Sequence, residues 1–271
     1  MMLVPIRSFL FSFLLGRLII PMFTHLLEDS GSVKSNFRGE IIPVGMGLIF
    51  VPVILLNSIA VIVFVRPSHL LSIAAFLAGT FGMCFAGMLD DLLGNRNVTG
   101  LKGHIRSFFQ GKLTTGGFKA LFGGFLAFFI SILFSEGLLN ILINSLMIAL
   151  FTNFNNLLDL RPGRSIKGFL LCLIPLFWIP VSVELRTSLF GLLGVVLAYT
   201  PYDLKAKAML GDAGSNVLGI SLGILFINGP FLFRIIALAL LILIHGITEK
   251  YSLTKIIENN KFLNYVDQIG R

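Results

Sequence analysis

The sequence predicts an all-α integral membrane protein, a polytopic bundle of about nine transmembrane helices, on three observations. Of the 271 residues 56% are apolar, only 13% are charged, and the apolar residues gather into runs long enough to cross a bilayer. Soluble domains carry about 25% charge, so the shortage of charge is the stronger signal and excludes a water-soluble fold. A disordered chain needs the opposite composition, and two cysteines cannot staple a chain of this length. No composition shift divides the chain, so 1–271 reads as a single polytopic membrane domain with a short cytoplasmic tail from about 248.

The spans follow from windows of about 17–25 residues that are poor in charge. The first, 8–27, holds only Arg17 among Lys and Arg, and with no small-residue cleavage site behind it reads as a retained anchor. The second, 43–65, stops at Arg66, and the third, 69–88, runs up to the pair Asp90-Asp91. The fourth, 117–134, lies between the Lys112 region and Glu136; the fifth, 138–152, ends at Asn153. The sixth, 166–183, is framed by Arg164 and Glu184, and the seventh, 186–200, begins after Arg186 at its edge. The eighth, 213–228, follows Asp212, and the ninth, 230–247, ends before Glu249. The fifth, seventh and eighth are short for a full crossing, which leaves a re-entrant segment open for one of them.

The net charge of +8 first suggests an anionic partner. Drawn on the spans, however, 16 of the 21 Lys and Arg fall at one set of alternate loops, against Arg7, Arg66, Arg186 and Arg234 at the other. Cytoplasmic loops carry the positive excess, so the amino terminus is expected outside and the carboxy terminus inside. A nucleic-acid partner is thereby excluded. All seven aspartates, Asp29, Asp90, Asp91, Asp159, Asp203, Asp212 and Asp267, fall on the cytoplasmic side, where the chemistry is expected to gather.

Three segments on that side carry the candidate residues. Gly87-Met88-Leu89-Asp90-Asp91 puts two adjacent carboxylates at a helix mouth, where like charges need a cation such as Mg²⁺, Lys or Arg. In Asn153-Phe154-Asn155-Asn156-Leu157-Leu158-Asp159, the three-residue spacing aligns Asn153, Asn156 and Asp159 on one helical face, and Arg161 and Arg164 follow as bidentate phosphate grips. In Lys207-Ala208-Met209-Leu210-Gly211-Asp212-Ala213-Gly214-Ser215, a carboxylate beside flexible backbone, with Lys207 in reach, suits either a helix cap or a metal bridging to phosphate. Lys102, His104, Arg106 and Lys112 form a basic rim for anionic headgroups or a diphosphate. Gly111-Lys112-Leu113 fails the phosphate-loop pattern, since Leu113 stands where Ser or Thr is needed and no strand precedes it.

Together these segments resemble the polyprenyl-phosphate N-acetylhexosamine-1-phosphate transferases. The Asp90-Asp91 pair, Asn153-x-x-Asn156-x-x-Asp159 and Lys207-x-x-x-Gly211-Asp212-x-Gly214-Ser215 match the family's motifs in the family's order. Gly100 to Arg106 is similar to its Gly-Leu-x-x-Arg-x-Lys stretch, and Pro43 to Gly47 to its Pro-x-Met-Gly-Gly segment. Two features depart from the family. Its Asp-Gly-x-Asp-Gly is Asp159-Leu160-Arg161-Pro162-Gly163 here, and its histidine-rich loop has no counterpart beyond His245.

The resemblance implies that a lipid phosphate attacks the β-phosphorus of a UDP-N-acetylhexosamine and releases UMP, in cell-wall or surface-polymer biosynthesis. It implies Mg²⁺ as cofactor, held by Asp212 and Asp91, with Asp90, Asp91 and Asp212 catalytic. Substrate contacts fall to Asn153, Asn156, Asp159, Arg161, Arg164, Lys102, His104, Arg106, Lys112 and Lys207. The implied partners are polyprenyl phosphate, the UDP-sugar and the lipid bilayer, with a homodimer as the candidate assembly and the plasma membrane as the location. Two other readings share the composition: a homologue that binds polyprenyl phosphate or nucleotide without turnover, and a transporter. Transporter sites gather near the midplane, whereas the acids here sit at span edges.

Overall fold

The computed structural model describes residues 2–94 and 100–271, apart from the side chains of residues 100–102, 104 and 105. Twelve α-helices are described: α1 (Leu3–Asp29), α2 (Phe50–Val65), α3 (Leu70–Leu93), α4 (Gly100–Phe109), α5 (Thr115–Phe134), α6 (Leu138–Leu158), α7 (Arg164–Leu173), α8 (Val183–Leu204), α9 (Gly211–Phe226), α10 (Phe231–Thr248), α11 (Leu253–Asn259) and α12 (Lys261–Gln268). A two-stranded antiparallel ribbon, β1 (Val33–Ser35) with β2 (Ile41–Pro43), lies between α1 and α2.

Among the described residues, seven helices are long and apolar enough to cross a membrane: α1, α2 with the 3₁₀ turn that precedes it, α3, α5, α6, α8 and α10. The protein is therefore an all-α, multi-pass membrane protein. The sequence windows 166–183 and 213–228 correspond to shorter elements. In the first, α7 stops at Leu173 because Pro175 has no N–H to give and disfavours helical backbone before it; a 3₁₀ turn, Ile174–Phe177, follows. In the second, α9 has 16 residues and a length of about 24 Å, short of the ~30 Å hydrocarbon core.

Both short segments nonetheless connect the two ends of the bundle. Gly163, before α7, bonds to Asp203 at the end of α8, whereas Ser182, after α7, meets Ser72 at the start of α3. Likewise α9 starts beside Asp91 at the end of α3, and beyond its far end Arg234 of α10 donates to Asn140 and Asn144 near the start of α6.

At the centre stands α9, in which every residue from Ala213 to Phe226 is buried. Burial on all sides needs neighbours at close range, and small residues provide it. A side chain at Gly219 would strike the backbone of Phe151 and Thr152, and one at Gly223 would sit 2.6 Å from the Ile148 Cα. Gly47 faces Gly214 in the same way, and Gly87 faces the Asp212 carbonyl. The glycines thus let α3 and α6 approach α9 backbone to backbone, which brings the polar ends of these three helices together.

Gly219→Val is expected to separate α6 from α9 at a cost of about 1–3 kcal/mol or more. Gly246→Ala, where a Cβ meets nothing, is the control. A thermal midpoint for Gly219→Val equal to that of the control would count against this packing.

The ribbon is tied to the segment before α9. Met209 donates to the Pro43 carbonyl at 2.8 Å, and the Met46 and Gly47 amides donate to Met209 and Leu210 at 3.1 and 2.9 Å. Gly211 adopts φ +73° between Gly45 and the Asp91 carboxylate, a conformation and a space that favour glycine.

Candidate active site

Two of the chemical segments are helical where an apolar window would have ended. Helix α3 continues past residue 88 to Leu93, and α6 past 152 to Leu158, so Asp90, Asp91, Asn153 and Asn156 project from rigid helix ends rather than from loops. Adjacent residues on a helix point about 100° apart, which separates the two aspartates. Asp90 faces α5, and Asp91 faces the N-terminus of α9.

Asp91 acts as the external cap of α9. Its Oδ1 accepts from the Asp212 N–H and its Oδ2 from the Ala213 N–H, each at 3.0 Å. The first N–H groups of a helix have no partner within it and carry partial positive charge, so a carboxylate there satisfies both needs. Lys34 donates to the Asp91 carbonyl at 3.0 Å.

Asp90 and Asp212 meet across Lys119, a residue the sequence does not single out. Lys119 Nζ donates to Asp90 Oδ2 at 2.7 Å and to Asp212 Oδ2. All three side chains are no more than about a quarter exposed. The Thr114 hydroxyl caps α5 by accepting from the Gly117 N–H at 3.0 Å. Asn156 completes the group: oriented to suit its neighbours, its amide donates to Asp212 Oδ1 at 2.8 Å and accepts from Lys119 at 3.2 Å. The sequence signal for Lys119 was a lysine one turn inside an otherwise apolar helix, where a lone charge calls for a partner.

Beside this cluster opens a cavity of about 220 Å³, lined by the acids Asp91, Asp159, Asp203 and Asp212, by Lys34 and Arg161, and by Phe37 of the ribbon loop. Asp159 closes α6. Burial first, and then the charges of Asp203, Asp212 and Asp91, push its carboxyl well above the usual range. Asp203 accepts from the Gly163 N–H at 2.7 Å and so ties the end of α8 to the loop that holds Arg161. Arg161 lies over the Phe37 ring, 5.9 Å from its centroid.

The remaining candidates are more scattered. Arg164, expected as a phosphate grip, is buried, and its guanidinium is committed to Asp267 and Thr254. Asn153 is exposed and does not line the cavity, although Asn156 and Asp159 of the same motif belong to the site. Lys207, Arg106 and Lys112 are exposed, Lys207 with its backbone N–H bonded to Tyr202. The side chains of Lys102 and His104 lie outside the described residues.

The elements that build this group, from α3 to α9, are those matched by a family model: glycosyl transferase family 4, over residues 73–229. The chain belongs to that family. The match contains Asp90, Asp91, Lys119, Asn156, Asp159 and Asp212, and it makes the protein a membrane-embedded transferase of the phospho-sugar class. No curated protein matches the chain.

Proposed function

We propose that this family member transfers an N-acetylhexosamine-1-phosphate from a UDP-sugar to polyprenyl phosphate, releasing UMP. The observation that carries the reading is the convergence of Asp90, Asp212 and Asn156 on Lys119, at one end of the bundle and beside a cavity of mixed charge. Both substrates are anionic, and the reaction moves charge onto bridging oxygens, so fixed cations and positioned donors are what it needs.

Mg²⁺ fits these residues in an open form. Among the described residues no three His, Cys, Asp or Glu side chains form a closed metal cage. Asp90 and Asp212 offer carboxylate oxygens, and Mg²⁺ is commonly held by one or two carboxylates together with substrate phosphates. In this reading the metal pair is Asp90 with Asp212, rather than the Asp91 and Asp212 the sequence suggests, because both Asp91 oxygens are turned to α9. When bound, the ion supplies charge neutralisation for the diphosphate.

The chain's own residues do the rest. Lys119 keeps the two carboxylates apart from each other's charge and offers N–H donors toward the phosphates. Asn156 orients Asp212, and Asp91 fixes the α9 end on which Asp212 rides. Arg161 and Lys34 face the cavity where a nucleotide diphosphate would lie. The lipid phosphate attacks the β-phosphorus, the bond to the bridging oxygen breaks, and that oxygen leaves with UMP. Lys102, His104, Arg106 and Lys112 are assigned to the basic rim that attracts the lipid headgroup. In this reading the bundle makes nine crossings of the plasma membrane, and the positive-inside bias of the loops puts the site at the cytoplasmic face.

Purified protein with Mg²⁺, polyprenyl phosphate and a panel of UDP-sugars is expected to release UMP with at least one donor. Asp212→Asn is expected to abolish that release. Tight binding of polyprenyl phosphate with no UMP from any donor would replace this reading with the non-catalytic homologue, and release undiminished in Asp212→Asn would remove the metal assignment.

A further inference from the structure

The wall of the cavity that carries Asp159 and Arg161 is braced from outside the bundle. Residues 159–163 run from the end of α6 to the start of α7, with cavities on both sides. The second cavity, about 370 Å³, lies between this loop and the α11–α12 tail, with Arg38, Glu258 and Gln268 in its lining. Within this loop Gly163 is buried against Leu204, whereas Leu160 is exposed and Arg161 and Pro162 are half-buried, so the position of its outer part depends on directed bonds.

Those bonds converge on Asp267 of α12, which is 6% exposed. It accepts from Arg164 through Nε at 3.0 Å and Nη2 at 2.8 Å, and from Arg271 Nη2 at 2.7 Å. Arg271 Nε in turn donates to the Pro162 carbonyl at 2.8 Å, inside the loop itself. Arg164 Nη1 reaches Thr254 at 3.1 Å, and Lys167 donates to the carbonyls of Val266 and Asp267 at 3.0 and 2.6 Å. On the cavity side, the Gly163 N–H is held by Asp203. A buried carboxylate shared by two guanidiniums stays in place only while all of its bonds are made, since loss of one partner strands the others.

We propose that Asp267 is a positioning residue: through Arg164 and Arg271 it sets the place of the 159–163 loop over the cavity, and so the affinity for the nucleotide, without touching substrate. The affinity part rests on the reading of that cavity as the nucleotide site. The positioning part rests on the geometry alone.

The test uses the full chain in lipid nanodiscs, with Asp267→Asn, Arg271→Gln and the conservative Asp267→Glu. Hydrogen exchange of peptides covering 159–167 is expected to rise about tenfold in the first two variants and to return toward wild type in Asp267→Glu. The dissociation constant for UMP, the common product of all UDP-sugar donors in this class, is expected to rise about tenfold in the same two. With the donor that the screen identifies, KM rises while kcat stays within about twofold, because Asp90, Lys119 and Asp212 stand on other elements. Unchanged exchange in both variants overturns the proposal. So does a fall in kcat that tracks thermal stability at constant KM, the signature of a merely structural role. Should wild-type protein bind no UMP while the exchange responds as expected, the positioning stands and the nucleotide reading of the cavity falls.

Discussion

Replacing Lys119 with methionine is expected to lower UMP release by about 100- to 1,000-fold, the usual effect of removing a positioned donor from developing negative charge. Methionine keeps the unbranched apolar stem and all but the last atom of the side chain's length, so α5 packs as before. What is lost is the ammonium group between Asp90 and Asp212. The two carboxylates then face each other without their shared cation, and each raises the other's cost of ionisation. A double variant, Lys119→Met with Asp90→Asn, separates the two consequences. Removing one of the opposed charges is expected to recover thermal stability lost in the single variant, while UMP release remains low. Release within about tenfold of wild type in the single variant would mean that Lys119 is only a structural counter-ion.

How far such a residue is visible before the fold is known depends on the range of the contact that defines it. The helices were legible because apolar runs are local, and the seven long spans follow the apolar windows closely. The acid motifs were legible for the same reason: Asn156 sits in the last turn of α6 and Asp159 three residues on at its cap, and the structure keeps both at the site. Lys119 was not, since its role is set by Asp90, 29 residues before it, and by Asp212, 93 residues after it. Arg164 looked like a phosphate ligand from its neighbours, yet its partner Asp267 is 103 residues away. Windows 166–183 and 213–228 read as spans on composition, although Pro175 stops one helix and the other is only 16 residues long. The crowding of Asp91, Asp159, Asp203 and Asp212 around one cavity came from four separate helix ends, of which glycine contacts draw those of α3, α6 and α9 together.

The division of labour between the adjacent aspartates is the sharpest consequence of that packing, and Asp91 tests it. Asp91→Ala removes the side-chain acceptor for two N–H groups at the start of α9, where Gly211 and Ala213 are buried. Each stranded buried donor costs about 1–3 kcal/mol, a large share of the 5–15 kcal/mol that holds a typical domain. The expected result is a marked fall in thermal midpoint together with loss of activity, because Asp212 rides on the same turn. Asp91→Asn is the discriminating variant. Its single amide oxygen can accept one of the two bonds, so stability is expected to fall by less than in Asp91→Ala, and activity to fall with it. A metal ligand would behave differently: Asp91→Asn would raise the Mg²⁺ concentration needed for half-maximal UMP release while leaving the metal-free midpoint at the wild-type value. That outcome would return Asp91 to the metal and leave α9 without its cap, whereas a lowered midpoint at unchanged Mg²⁺ dependence assigns it to the helix and leaves Asp90 as the partner of Asp212.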